Sequence, residues 1–199
     1  MRVVIPVYFD YASSLCYIAW RIAERLEDTL DIEMQWRPLS IAAHYPNWQH
    51  GVLMGGDTRA KIERVAEETG VPLRIPERWM DSRAALEGAV FAEAYDRVAA
   101  YHRAVFAAAY ENAADIGDAR VLVRVADAVG LPIDKFQEYR TTRRAAPRIA
   151  GNLEEARRHG VTGYPTFLLG EFPLTGIQPY ETMKVLLLRH LERRRDHLH

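Results

Sequence analysis

The chain has 199 residues, 49% of them hydrophobic, and its 26 basic and 27 acidic side chains leave a net charge of −1. Such a composition supports a real core and supplies no global field to recruit nucleic acid or an anionic membrane. No run of about 20 apolar residues could span a bilayer, and since Met1 leads directly into a strand-like run, no secretory leader is expected. A single cysteine, Cys16, excludes an intramolecular disulfide and agrees with a reducing compartment, so the expectation is a cytoplasmic protein.

The run Val3, Val4, Ile5, Val7, Tyr8 and Phe9 reads as a strand, with Pro6 marking a sheet edge or an irregularity. From Leu15 the apolar positions Ile18, Ala19, Ile22, Ala23 and Leu26 follow one helix face. Ser13 is placed as the N-cap and Cys16 as the third residue inside. Unpaired N–H groups and the positive end of the helix favour negative charge there, so a thiolate, the protein's own or a ligand's, would be stabilised. Asp31 to Arg37 alternates as a half-buried strand ended by Pro38.

Ser40 to Gly56 reads as a long loop carrying His44, Tyr45, Trp48 and His50, either a binding loop or an aromatic-anchored connector. A helical block follows. Asp57 is expected to cap a helix to Thr69, and Asp81 or Ser82 to begin a long Ala-rich pattern of one helix or two. Asp118 opens a segment through Val129, Asp134 another to about Arg143, and Pro147 fits a first helical position in a helix ending at Gly160. The period then returns to two. Val161 to Leu169 is turn then strand, Gly170 and Glu171 make a hairpin turn, Phe172 to Thr175 returns, and a C-terminal helix starts near Pro179. No internal repeat or low-complexity tract is present. Strand, helix, strand, helical block, two strands, helix is the thioredoxin order with a helical insertion. The expected division is residues 1–40 and 160–199 as a thioredoxin-like domain and 41–159 as loop plus helical insertion.

FDYASSLCYIAW at Phe9 to Trp20, WRPL at Trp36 to Leu39, DSRAAL at Asp81 to Leu86, AAYENAADIGD at Ala108 to Asp118, GVTGYPTF at Gly160 to Phe167 and LTGIQP at Leu174 to Pro179 together resemble the DsbA superfamily. The similarity is to the branch with FrnE-like oxidoreductases, 2-hydroxychromene-2-carboxylate isomerases and kappa-class glutathione transferases. The family's CPxC register falls on Ser13, Ser14, Leu15 and Cys16, so the nucleophilic cysteine is serine here. In the isomerases and kappa transferases those positions read SPYS, and their first serine, matched by Ser13, holds a glutathione thiol. The resemblance also implies that Pro165 is cis, with Tyr164 offering backbone bonds to an extended thiol peptide. Asp81 stands where those families have asparagine, before Ser82.

A dithiol cycle needs two sulfurs within bonding reach, so this chain is not a self-contained disulfide oxidase. Cys16 is either a small core hydrophobe or a monothiol redox group. Ser13, with no neighbouring base, is either a plain cap or a donor to the thiolate of a bound thiol that supplies the nucleophile. The candidate catalytic residues are Ser13 and Cys16, and the candidate cofactor contacts are Tyr164, Pro165, Ser14 and Ser82. The expected cofactor is glutathione or another low-molecular-weight thiol, and the expected partners are that thiol and an electrophilic or disulfide substrate. No metal, nucleotide, nucleic-acid or membrane signal is found, and a homodimer follows from the resemblance alone. The activity implied is that of a thiol-dependent oxidoreductase or transferase. Alternatives are a glutathione-dependent isomerase, with Trp48, Tyr11 or Tyr164 lining its substrate pocket, and a module that binds thiols or peptides without turnover.

Overall fold

The computed structural model describes residues 2–43 and 49–196. His44, Tyr45 and Trp48 lie outside the described residues. Four strands form a mixed sheet in the order β2-β1-β3-β4, with β1 (Val3–Phe9), β2 (Ile32–Pro38), β3 (Thr166–Leu169) and β4 (Phe172–Thr175). β1 runs parallel to β2 from the Val3–Ile32 pair to Phe9–Pro38, and antiparallel to β3 at Val7–Phe167 and Tyr8–Thr166. Pro6 therefore sits in the central strand rather than at an edge, immediately before the two residues that β3 pairs with. Ile5, Val7, Tyr8 and Phe9 are fully buried, so the C-terminal half of β1 is covered on both faces as a central strand requires, while Val4 near its start is exposed.

Helix α1 (Ser14–Glu27) links the parallel pair and buries Cys16, Ile18, Ala19, Ile22, Ala23 and Leu26. The insertion holds α2 (Gly56–Thr69), α3 (Arg83–Glu93), α4 (Val98–Tyr110), α5 (Ala119–Ala128), α6 (Ile133–Thr141) and α7 (Ala146–Arg158). Asp57 lies inside the first turn of α2, and Gly55 is the cap; Asp118 caps α5 through its side chain, which accepts from Arg120 N. The Ala-rich stretch is two helices, separated where Asp96 turns to φ +54°. α7 is tied to β2 by the Arg37–Glu155 ion pair and by Asn152 Nδ2, which donates to the Pro38 carbonyl at 3.1 Å. The closing helix α8 (Tyr180–Asp196) lies against α1, with the Tyr180 ring under the Arg25 guanidinium at 4.3 Å. One continuous cluster of buried side chains runs from β1 and α1 into α3, α4 and α5. At its centre Tyr11, Tyr17 and Trp20 pack their rings around Phe106 of α4 at 4.9–6.0 Å.

Candidate functional site

β1 delivers the chain to a turn at Asp10–Ser13 that becomes the start of α1. The turn closes through Ser13 N, which donates to the Asp10 carbonyl at 3.1 Å, and Ser13 then caps the helix, its hydroxyl accepting from Cys16 N at 3.4 Å. The first N–H groups of α1 have no acceptor within the helix, and Ser13, Ser14 and Leu15 line a cleft of about 620 Å³.

The opposite wall is Thr162, Gly163 and Tyr164, with Thr175 and Gly176 beyond it. The Tyr164–Pro165 peptide bond is cis. Its flanks are fixed by Thr166 Oγ1, which donates to Gly163 O at 2.7 Å, and by Gly176 N, which donates to Pro165 O at 2.7 Å. A Cβ on Gly163 would stand 3.1 Å from the Thr175 methyl, so a side chain at residue 163 would press the two segments apart by a few tenths of an ångström.

The insertion supplies the third wall. Thr58, Lys61 and Ile62 come from α2, and Trp79 from a segment held by two main-chain bonds with Val52 and Gly51. Lys61 is exposed and has no ion-pair partner among the described residues. Ile41, just after β2, completes the apolar part of the lining. The cleft thus joins a helix N-terminus, a segment of polar main chain, one cation and an indole.

Asp10 holds two of these walls together while lying wholly out of solvent. Its Oδ1 accepts from Ala12 N at 2.8 Å, its Oδ2 accepts from Ile41 N, and the Ser82 hydroxyl adds a third bond. Burial pushes its carboxyl up to about 6 against these donors.

Of the expected site residues, the structure brings Ser13, Ser14 and Tyr164 together on the cleft, with Pro165 behind Tyr164. Cys16 is not on the walls. It is fully buried, and burial pushes its thiol up to about 12, so it is protonated at neutral pH. Ser82 is buried against Asp10 and does not line the cleft. Tyr11 is fully buried too: two residues before the cap the chain faces inward, and its ring enters the aromatic cluster instead of a substrate pocket. Lys61, Ile62 and Trp79 were missed, because their approach to α1 depends on how the insertion folds back. The one sequence signal was Trp79, an aromatic two residues before the DSRAAL stretch. Among the described residues no group of His, Cys, Asp or Glu could hold a metal, and no helix is long and apolar enough to cross a membrane.

A central β1 with its parallel partner, the antiparallel hairpin, and a cis proline beside the first helical turn define a thioredoxin-fold protein with a helical insertion. The chain belongs to the DSBA-like thioredoxin domain family, which it matches over residues 4–187. It is 28% identical over 185 residues to the uncharacterised protein YwbO of Bacillus subtilis (strain 168), covering 88% of this chain and 91% of that one. Among solved structures it resembles a 2-hydroxychromene-2-carboxylate isomerase, with a TM-score of 0.76 and 22% identity over 99% of this chain and 100% of that one. A probable DsbA oxidoreductase from Streptomyces coelicolor superposes with a TM-score of 0.78 at 19% identity, covering 96% of this chain and 91% of the other. The cytosolic disulfide reductase DsbM from Pseudomonas aeruginosa, solved with GSH, has a TM-score of 0.71 at 17% identity, covering 96% and 100%.

Proposed function

We propose that the cleft takes a low-molecular-weight thiol, glutathione foremost, with its sulfur at the first turn of α1, and that the chain is a thiol-dependent oxidoreductase or transferase. The observation that carries this reading is the meeting of α1's N-terminus, the Thr162–Tyr164 wall and the lone Lys61 around one cleft of about 620 Å³, within the range of small-molecule sites. The residues fit such a guest. The helix end and the Ser13 hydroxyl favour a thiolate over a thiol, the main chain at Thr162–Tyr164 can pair with an extended peptide, and Lys61 suits a carboxylate.

The bound thiol would supply the nucleophile that this chain lacks, since Cys16 is buried and protonated. Ser13 then acts as a hydrogen-bond donor and not as an attacking group, having no histidine or lysine base beside it. The second substrate, electrophile or disulfide, would lie against the apolar side formed by Trp79, Ile62 and Ile41. That apolar side is also what favours a second reading, a glutathione-dependent isomerase of the kind represented among the structural relatives.

Glutathione titrated into the protein should raise the melting temperature saturably, because a ligand that binds only the folded state must stabilise it, by about 2.7 kcal/mol at a hundredfold excess over Kd. Ser13→Ala and Lys61→Ala should weaken that effect, and S-methylglutathione, which cannot ionise at sulfur, should bind less well. If neither glutathione nor another small thiol shifts the melting temperature, the enzyme reading falls and a non-catalytic module takes its place.

A further inference from the structure

The turn that carries Ser13 is held from behind by helix α4, which has no residue on the cleft. Tyr11, two residues before the cap, points its ring into the insertion, edge-on to Phe9 at 5.0 Å and to Phe106 at 4.9 Å. Its hydroxyl lies 2.5 Å from His102 Nδ1, and its carbonyl accepts from Tyr110 Oη at 2.7 Å. One residue is thus gripped at both its side chain and its main chain by a single helix, at positions eight residues apart.

Both partners suit a permanent bond. His102 is 3% exposed, and burial pushes its imidazole down to about 3, so it is neutral and can accept. Burial raises the Tyr11 phenol well above its ordinary value, so its proton stays and is donated to Nδ1, which leaves the imidazole proton on Nε2. The end of α4 is itself braced on α1: Glu111 accepts from Tyr17 Oη and from Arg21, each at 3.0 Å. The distance between α4 and the mouth of α1 is therefore set on both sides of Ser13.

We propose that His102 and Tyr110 are positioning residues of the docking turn, holding Tyr11 so that Ser13 and the first N–H groups of α1 stand at the depth a bound sulfur requires. The proposal rests on the thiol-docking reading for its functional part and on geometry alone for its structural part. It makes the insertion a component of the site's floor as well as of its outer wall.

Glutathione affinity by calorimetry and amide hydrogen exchange across residues 10–17 are measured together for the wild type, Tyr110→Phe, His102→Leu and His102→Asn. Asparagine can still present an acceptor near the place of Nδ1; leucine cannot. Tyr110→Phe and His102→Leu should speed exchange in the turn while leaving α5 and α6 unchanged, and should raise the glutathione Kd about tenfold, the scale of one lost hydrogen bond. His102→Asn should stay close to wild type in both readouts. Tyr110→Phe, the mildest change, keeps the test open if His102→Leu does not fold. Exchange in the turn unchanged in both Tyr110→Phe and His102→Leu overturns the proposal whatever the thiol does, and so does faster exchange with an unchanged Kd. Faster exchange confined to the turn, in a protein whose wild type takes up no thiol, supports the positioning role and sinks the docking reading instead.

Discussion

Ser13 and Cys16 stand three residues apart on one helical turn, and of the two Ser13 alone lines the cleft. Cys16 is turned inward beneath the Asp10–Ser13 turn, where it has no exposed surface and burial holds its thiol protonated against the Ser13 hydroxyl and the Asp10 main chain. Native Cys16 should therefore resist a thiol reagent at pH 8, where an ordinary cysteine with a pKa of about 8.5 reacts readily. Reaction should appear only with unfolding, and rapid stoichiometric labelling of the folded protein would return the monothiol redox role to it. The sequence left Cys16 open between core hydrophobe and monothiol redox group, and only its inward direction was legible from helix geometry. The partners across the cleft were not. Lys61 sits in α2 with the spacing of any solvated helix position, and only the tertiary placement of α2 makes it a lining residue. Tyr11 misled for a related reason: an aromatic beside a motif suggests a pocket, yet the whole Asp10–Ser13 turn is buried and helix α4 takes the Tyr11 ring into the core.

At the scale of elements, the order of strands and helices followed from the change of period, and what escaped was the break between α3 and α4. The stretch from Arg83 to Tyr110 has no proline, and its one glycine, Gly88, lies inside α3 and not at the break. The reason for that glycine is contact: a Cβ there would come within 2.0 Å of Tyr101 Oη and 2.9 Å of the Phe136 ring. Two helices that cross this closely cannot be one continuous rod, so the chain turns at Asp96. Gly88→Ala should destabilise the fold by about 1–3 kcal/mol through overpacking, although alanine is intrinsically the better helix former by about 1 kcal/mol. Tyr101→Phe in the same chain should recover part of the loss, since the phenolic oxygen is the nearest obstacle and has no hydrogen-bond partner among the described residues. Urea unfolding of the single and double variants checks this, and a stabilised Gly88→Ala protein would show that the two helices do not approach as closely as described.

For the molecule as a whole, two buried titratable groups beside the Asp10–Ser13 turn pull stability in opposite directions as pH changes. His102 has its folded pKa pushed down to about 3 from 6.5 by burial, so below 6.5 the unfolded chain takes a proton that the folded one refuses. Stability is therefore lost as pH falls across that window, by something on the order of a few kcal/mol at about 1.4 kcal/mol per unit. Asp10 has its folded pKa raised from 3.8 to about 6, again by burial, so between those values the folded chain binds the extra proton and gains stability as pH falls. The two effects overlap and partly cancel from about pH 6 to pH 4, which leaves the docking turn tolerant of mild acid. Replacing His102 by asparagine removes only the first. The variant should be less stable than wild type at pH 7, where the imidazole is neutral and well packed, and should close that gap as pH is lowered, overtaking wild type before pH 4. Denaturant midpoints for both proteins from pH 7 to pH 4 measure the difference directly, so that the many exposed carboxylates common to both chains drop out. A gap that stays constant over that range would mean that His102 takes up its proton without opening the core, and the neutral acceptor assigned to Tyr11 would have to be abandoned.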